Sequence, residues 1–232
     1  MKLAFIFNYP LMDNVNWKKT VIENCLNAGY EVDIYYGKTA LIEYIKAYLA
    51  KRKFGSIGSV SKNLQKKTEK NYKYFKSLGV NTYKVKNYNS DKTIQLLFSK
   101  KYDFIVAAID QILSRNFVDN VNSKILNIHY ATLPQIKGMN AIEWNYLVNK
   151  KCELTLHHIN SGIDTGSIIK TEEIPIEKGE DFFSMREKLQ QRIPKALMSF
   201  FEKPDSELFP NNGGKLYTFM HSEIQQIMRG RF

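Results

Sequence analysis

Short apolar runs alternate with amphipathic segments along the first part of the chain. Leu3–Phe7 is a continuous apolar run, which is typical of a fully buried strand. In segment 14–28 apolar residues recur at helical spacing and Gly29 follows, so we expect a helix that ends at this glycine. Glu31–Tyr36 then alternates as a second strand. This strand–helix–strand order predicts a parallel sheet with right-handed crossovers.

The rest of the chain continues the α/β pattern up to residue 180. Segment 38–79 is predicted to be mostly helical and basic, with a loop at 51–62 where Gly and Ser interrupt every period. Further strands are predicted at 81–88, 103–109, 124–130, 153–159 and 167–176, and further helices at 91–99, 140–149 and 181–203, the last kinked or divided at Pro194. The tail at 210–219 is predicted to turn into a last short strand or hairpin.

Two polar side chains lie close together on a strand that is predicted to be buried. Asn127 and His129 are two positions apart, so both point to the same face of the strand. The L-P-Q-I-K-G that follows turns sharply, which places both near the carboxyl end of the strand, where open parallel sheets bind ligands. An Asn-x-His pair on a strand is more often a pair of satisfied core groups. The strand alone therefore does not decide whether the two side chains belong to the core or face a reacting molecule.

A second polar feature is the loop S-G-I-D-T-G at 161–166, between two predicted strands. Gly162 and Gly166 permit a tight turn with Asp164 at its middle, and such a loop alone is more often only a turn. If this loop lies beside strand 124–130, the sheet edge gathers an amide, an imidazole and a carboxylate. These groups suit acyl transfer to an amine, because they can stabilise an oxyanion and relay the proton that the amine loses.

The charge indicates the kind of partner without identifying one, and the cysteines indicate the cellular compartment. Lys and Arg number 34 against 23 Asp and Glu, and the formal net charge of +11 favours anionic partners such as nucleic acid, a membrane surface or phosphorylated small molecules. We expect no signal peptide and no membrane span, because the apolar runs are too short. Cys25 and Cys152 lack a partner pattern and are predicted to be buried free thiols in a reducing cytoplasm.

Three motifs, in order and at family spacing, resemble the formyltetrahydrofolate-dependent formyltransferase superfamily. They are N-I-H-Y-A-T-L-P-Q-I-K-G at 127–138, E-W at 143–144 and L-T-L-H-H-I-N-S-G-I-D-T-G-S-I-I at 154–169. The resemblance implies the Rossmann-like formyltransferase fold, a mostly parallel twisted sheet flanked by helices. It also implies a catalytic domain over 1–180, followed over 181–232 by a C-terminal helix and a small β-hairpin that serves dimerisation.

The resemblance also implies a role for each residue that matches a family motif. Asn127, His129 and Asp164 take the catalytic places, with N10-formyltetrahydrofolate as co-substrate, no metal and no covalent enzyme intermediate. His157 takes a supporting place, with core packing as an equal alternative. The folate is expected to lie against Asp110, Gln111, Ile112 and Leu113 on one side and Ser161, Gly162 and Ile163 on the other. The chain departs from the family at Tyr130 and Ala131, which replace Pro-Ser, and at Asp110, where a neutral residue is common.

Within the superfamily, the chain looks most like the enzymes that formylate nucleotide-linked amino-dideoxy sugars, on dTDP or GDP, for lipopolysaccharide O-antigen or other surface polysaccharide. The likeness lies in K-G-M-N-A-I-E-W at 137–144 and G-G-K-L-Y-T-F at 213–219. The substrate contacts that it implies are Tyr9, Lys137, Gly138, Asn140, Trp144 and Tyr217. For the aromatic rings among them, burial is the alternative. The expected partners are the folate, the nucleotide sugar and a second subunit in a homodimer, without nucleic acid.

Other substrates and another class of protein stay open as alternatives. Methionyl-tRNA formyltransferases carry a further tRNA-binding domain, and glycinamide ribonucleotide enzymes open with a glycine-rich phosphate turn where this chain has F-N-Y-P-L-M-D-N. A basic nucleic-acid-binding module is favoured by the charge and by Tyr and Phe that interleave with Lys at 72–76. An inactive binding homologue is a further alternative, which the complete Asn-His-Asp set argues against.

Overall fold

The computed structural model describes residues 1–8, 17–37, 73–109 and 111–229. Its helices and strands, in chain order, are β1 (Lys2–Asn8), α1 (Trp17–Asn27), β2 (Glu31–Gly37), β3 (Asn81–Val85), α2 (Asp91–Lys100), β4 (Phe104–Ala108), α3 (Arg115–Asn120), β5 (Lys124–His129), β6 (Ile136–Gly138), α4 (Ala141–Asn149), β7 (Cys152–His158), β8 (Ile168–Ile174), α5 (Phe182–Glu202), β9 (Lys215–Tyr217) and α6 (Ser222–Arg229). The predicted loop at 51–62, Tyr9 and Asp110 lie outside the described residues.

The chain divides into two compact units. The first consists of residues 1–13 and 26–123, and the second of residues 14–25 and 124–232. The residues after 181, which the sequence indicates as an appendage, therefore belong to the same unit as β5 to β8.

The first unit is built on four parallel strands in the order β3-β2-β1-β4. β1 lies inside this sheet, and its residues from Leu3 to Phe7 are fully buried, as expected for a continuous apolar run in a parallel sheet. α2 begins at Ser90, whose hydroxyl accepts a hydrogen bond from the backbone N–H of Thr93. The parallel order confirms the α/β class that the strand–helix–strand pattern predicts.

The second unit contains an antiparallel arrangement of β5, β7 and β8. β5 pairs with β7, and in this register Asn127 lies opposite His157. β7 pairs in turn with β8, with a register shift between Leu156 and His157. α5 begins at Asp181, whose carboxylate accepts from the N–H of Ser184, and it runs through Pro194 as one helix of 21 residues. Of the two alternatives predicted at Pro194, a division of the helix is therefore wrong and a kink stays a prediction, whereas the helix itself is confirmed.

Residues 209–220, which we call the tail strap, run along the loops of the second unit and bond to them at several points. Phe209 and Ile168 exchange backbone hydrogen bonds of 2.8 and 2.9 Å. β9 pairs with β6 in parallel register, from Ile136 opposite Lys215 to Gly138 opposite Tyr217. The strap is therefore attached to the unit by backbone pairing along its length.

The short strand predicted as one alternative for the tail is confirmed as β9, and its parallel pairing with β6 replaces the other alternative, a hairpin. After β9 the chain does not fold back as a second strand, because its next polar groups are bonded to the region of α4. The carbonyl of Thr218 accepts from the indole N–H of Trp144 at 2.9 Å, and the N–H of Met220 donates to the Asn140 side chain at 3.1 Å. α6 follows directly.

Two adjacent glycines turn the chain into β9, and their surroundings differ. Gly213 and Gly214 have φ values of +75° and +77°, a conformation that favours glycine. A Cβ atom on Gly213 would meet nothing within 4 Å, whereas a Cβ on Gly214 would lie 1.6 Å from the carbonyl oxygen of Pro134. A substitution at Gly213 therefore tests backbone strain alone, whereas a substitution at Gly214 tests backbone strain together with a steric clash.

We expect Gly214→Ala to lower the free energy of unfolding by at least ~2 kcal/mol more than Gly213→Ala. Both variants lose about 1–2 kcal/mol through the positive φ, but only the first also forces β9 away from Pro134. Urea unfolding followed by circular dichroism measures both losses. Equal losses would show that the close approach to Pro134 contributes nothing to stability.

Candidate active site

His129, at the end of β5, has each of its ring nitrogens next to an oxygen atom. Its side chain is 6% exposed, and Nε2 lies 2.8 Å from the carbonyl oxygen of Ile136. A carbonyl only accepts, so Nε2 carries a hydrogen. Nδ1 lies 3.5 Å from Oδ2 of Asp164. Nδ1 is therefore the ring nitrogen that faces the carboxylate.

His157, on the neighbouring strand, orients the side chain of Asn127. Its Nδ1 donates to the carbonyl of His158 at 2.7 Å, so Nε2 carries a lone pair when the ring is neutral. This Nε2 accepts from Nδ2 of Asn127 at 3.1 Å. Burial, followed by the nearby His129, lowers the pKa of His157 to about 4, so the ring is neutral at physiological pH. The structure thus gives His157 a defined contact with Asn127, and its supporting role stays a prediction.

Asp164 lies between the two imidazole rings. Its backbone has a φ of +49°, in the left-handed region, and its side chain is 13% exposed. Oδ2 accepts from the backbone N–H of Gly138 at 2.9 Å, and Oδ1 lies 3.6 Å from Nε2 of His157. The loop at 161–166 therefore lies beside β5, and the structure brings the amide, the imidazole and the carboxylate together. Their catalytic role remains a prediction.

Glycines allow the close backbone contacts around this carboxylate. Gly138 has a φ of +95°, and a Cβ there would lie 2.3 Å from the carbonyl oxygen of Tyr217. A Cβ on Gly166 would lie 2.0 Å from the carbonyl oxygen of His158. The sequence indicated Gly138 as a substrate contact, and the structure adds a second role, because its N–H is the group that binds Asp164.

The remaining predicted substrate contacts in this unit are bonded to the tail strap. Lys137 is buried, and its ammonium donates to the carbonyls of Gly213 at 2.8 Å and Asn211 at 3.4 Å. This is a structural role, so its predicted contact with substrate stays a prediction. The rings of Trp144 and Tyr217 pack together with centroids 4.8 Å apart, and both are partly exposed. The carbonyl oxygen of the Asn140 side chain accepts from Met220, as described above.

The loop expected to contact the folate in the second unit is exposed and internally bonded. Ser161, Gly162 and Ile163 are all exposed. The side-chain oxygen of Asn160 accepts from the N–H of Gly162 at 3.0 Å and from the hydroxyl of Thr165 at 2.6 Å. The exposed side chain of Ile163 offers an apolar surface for a flat ring system.

The other predicted folate contacts lie in the first unit and are held by residues that the sequence analysis missed. Asn89 donates from Nδ2 to the carbonyl of Ile112 at 2.9 Å and accepts at Oδ1 from the N–H of Ser114 at 2.8 Å. Gln111 donates to the side chain of Asn87 at 2.6 Å. Ile112 is 70% exposed. The signal in the sequence was N-Y-N-S at 87–90, a turn composition that ends at the cap of α2.

A second residue that the sequence analysis missed is Asn211, in the tail strap. Its side-chain Nδ2 donates to the carbonyl of Asp164 at 3.0 Å and to the carbonyl of Gly166 at 2.7 Å. The available signal was P-N-N-G-G at 210–214, which also reads as an ordinary turn. Asn211 therefore contacts the loop that carries the predicted catalytic carboxylate.

The described part of the chain contains no group of three or more His, Cys, Asp or Glu side chains placed to hold a metal ion. None of its helices combines the length and the apolar character that crossing a bilayer requires. Cys25 and Cys152 are buried free thiols, as predicted, and burial raises their pKa values to about 12 and about 11.

Comparison with known sequences supports the resemblance seen in the motifs. A family model described as Formyl transferase matches residues 45–200. The chain is also similar to a methionyl-tRNA formyltransferase from Finegoldia magna, with 28% identity over 157 residues, which cover 65% of this chain and 51% of that protein. The chain thus spans about half the length of this relative.

Comparison with solved structures shows the fold. A sugar N-formyltransferase from a Shewanella species superposes with a TM-score of 0.62 at 18% identity, over 97% of this chain and 86% of that chain. The formyltransferase PseJ from Anoxybacillus kamchatkensis, in complex with UDP-4,6-dideoxy-4-formamido-L-AltNAc and tetrahydrofolate, superposes with a TM-score of 0.52 at 23% identity, over 64% and 80% of the two chains. Both confirm the predicted α/β fold.

The low pKa of His157 predicts a pH dependence of stability. Between its usual pKa of 6.5 and about 4, the unfolded chain binds a proton here and the folded chain does not. The stability that depends on a neutral His157 is therefore complete above pH 6.5, and it is lost as the pH falls towards 4. We expect the fall in unfolding free energy from pH 7 to pH 5 to be about 2 kcal/mol smaller in His157→Gln than in the wild type.

Urea unfolding at the two pH values measures this difference. His221→Gln, which removes an exposed histidine, is the matched control and should behave like the wild type. A His157→Gln variant with the wild-type pH dependence would contradict a neutral, buried His157.

Proposed function

The chain belongs to the formyl transferase family, and we propose that it is an N-formyltransferase that moves a formyl group from N10-formyltetrahydrofolate to an amine. The observation that carries this proposal is the grouping of Asn127, His129 and Asp164, with the His129 and Asp164 side chains 3.5 Å apart. An amide, an imidazole and a carboxylate are the groups that direct attack of an amine on a formyl carbon requires.

The amide of Asn127 is suited to stabilise the negative charge that develops on the formyl oxygen. Its Nδ2 carries two hydrogens, and His157 accepts one of them. The second hydrogen can donate to the oxyanion. Because the neutral ring of His157 fixes the amide rotamer, the donor is already oriented before the substrate arrives, which is the condition for strong transition-state stabilisation.

The imidazole of His129 supplies the second donor to the same oxygen. Its Nδ1 lies 3.5 Å from Oδ2 of Asp164, which is longer than an ordinary N–H···O hydrogen bond of about 2.7–3.2 Å. The N–H of a protonated ring is therefore attracted to the carboxylate without being fully bound by it. This leaves the donor able to bond to an oxyanion placed beside the ring.

Asp164 completes the transfer of protons. The amine attacks the formyl carbon, the bond between that carbon and the folate N10 breaks, and the amine loses one proton. The carboxylate takes up this proton directly or through a water molecule, and N10 gains one from the protonated His129. The folate leaves as tetrahydrofolate, and the enzyme forms no covalent bond with the formyl group.

We propose that the acceptor amine is carried by a nucleotide-linked amino sugar. The structural likeness to the Shewanella sugar N-formyltransferase covers 97% of this chain. The partly exposed rings of Trp144 and Tyr217 pack together, and Tyr217 lies opposite Gly138 in the pairing of β6 and β9. This ring pair offers a stacking surface for a base or sugar. A net charge of +11 also favours a doubly charged diphosphate substrate.

Methionyl-tRNA is the second candidate acceptor. The 28% identity to the Finegoldia magna methionyl-tRNA formyltransferase over 157 residues favours it, and the basic charge of the chain suits tRNA as well. The choice between the acceptors is therefore one for experiment.

The first test concerns the catalytic residues. His129→Asn and Asp164→Asn should each lower the rate of formyl transfer by more than about 100-fold, because the loss of one oriented donor or charge costs about 3 kcal/mol in the transition state. The rate is measured as the mass gain of one formyl group per acceptor. His221→Asn, an exposed histidine variant, should keep the wild-type rate. Near-normal rates in both active-site variants, with wild-type circular dichroism, would show that the assignment is wrong.

The second test concerns the acceptor. With N10-formyltetrahydrofolate as donor, we expect formylation of dTDP-, GDP- or UDP-linked amino sugars and none of methionyl-tRNA. Formylation of methionyl-tRNA alone would overturn the proposed acceptor and keep the proposed reaction. Salt-dependent retention on DNA without any folate binding would overturn the reaction itself and favour a nucleic-acid-binding module.

A further inference from the structure

We propose that Asn211, in the tail strap, is a positioning residue that sets the placement of the Asp164 carboxylate. Its side chain is buried, with 6% of the residue exposed. Its Nδ2 donates to the carbonyl of Asp164 at 3.0 Å and to the carbonyl of Gly166 at 2.7 Å. The catalytic consequence of this placement depends on the proposed function, whereas the placement itself does not.

The two hydrogen bonds determine which way the Asn211 amide faces. Both partners are backbone carbonyls, which only accept, so turning the amide over would bring three oxygens together. In the observed orientation Oδ1 is buried, and within the described residues it has no hydrogen-bond partner. The two hydrogens of the amide are therefore the atoms through which Asn211 holds the loop.

The loop that Asn211 binds needs external support. Asp164 has a left-handed backbone, which costs an L-residue about 1–2 kcal/mol. The bonds within the loop run from Gly162 and Thr165 to Asn160, and they leave the carbonyls of Asp164 and Gly166 to the strap. By fixing these two carbonyls, Asn211 fixes the direction in which the Asp164 side chain leaves the backbone.

β6, which pairs with β9 of the strap, holds the opposite end of Asp164. The carboxylate accepts from the N–H of Gly138, in the strand that pairs with β9. The residue before it, Lys137, donates its buried ammonium to the carbonyls of Asn211 and Gly213. Asp164 is thus held at its carbonyl by Asn211 and at its carboxylate by Gly138, and Lys137 joins the two supports. A displacement of about 1 Å at such a site can lower a rate on the order of 100-fold.

Substitutions at Asn211 separate hydrogen bonding from packing. Asn211→Ala removes the amide, and Asn211→Asp keeps its shape but replaces the donor with an acceptor. We expect both to lower kcat on the order of 100-fold, with KM for N10-formyltetrahydrofolate changed less than about threefold. Asn212→Ala, an exposed neighbouring asparagine, is the matched control and should keep kcat. Normal kcat in either Asn211 variant, or equal changes in kcat and KM, would overturn the proposal.

A readout that needs no turnover keeps the test separate from the proposed function. The imidazole nitrogen resonances of His129 and His157, both next to Asp164, should move in Asn211→Ala and Asn211→Asp and stay in place in Asn212→Ala. Unchanged resonances would overturn the positioning role even if the enzyme is active. Shifted resonances in a protein that transfers no formyl group to any acceptor would support the positioning role and reject the proposed reaction. If Asn211→Ala does not fold, Asn211→Ser, which keeps one donor, should give intermediate shifts, and wild-type shifts there would reject the proposal.

Discussion

The bond from the backbone N–H of Gly138 to the carboxylate of Asp164 is the contact around which the second unit is arranged. A carboxylate with little exposure needs donors close to it, since an uncompensated buried charge is unstable. Several features serve this need together. Gly138 has no side chain to keep Tyr217 away, β6 lies beside β9, and Asp164 adopts a left-handed backbone that turns its side chain towards the two imidazole rings.

The parts of this arrangement that follow from local chemistry could be predicted from the sequence. The separation of two positions placed Asn127 and His129 on one face of a strand, and Gly162 and Gly166 indicated a tight turn around Asp164. Apolar runs located most strands, and the amphipathic pattern located the long helix α5, to within a few residues. That the loop meets β5 required the strand order of the second unit, which only the motif resemblance supplied.

The rest could not be predicted because it depends on contacts between residues far apart in the chain. β6 has three residues, too few to show any periodicity, and its partner β9 lies in the tail. Lysine is seldom buried, so nothing in the sequence indicated that the ammonium of Lys137 would bond to backbone carbonyls. Asn89 and Asn211 stand in turn-rich stretches where an asparagine usually needs no partner beyond its own loop.

The bonds from Asn211 to Asp164 have a consequence for synthesis on the ribosome. The two residues are 47 positions apart, and at about 5–20 residues per second the loop is made several seconds before the amide that holds it. A nascent chain that stalls or ends in this interval has already made β5, β7 and β8, but it lacks the support of the Asp164 carbonyl. A chain that ends before Asn211 therefore lacks one of the two supports of Asp164, even when the strands that surround this loop have been synthesised.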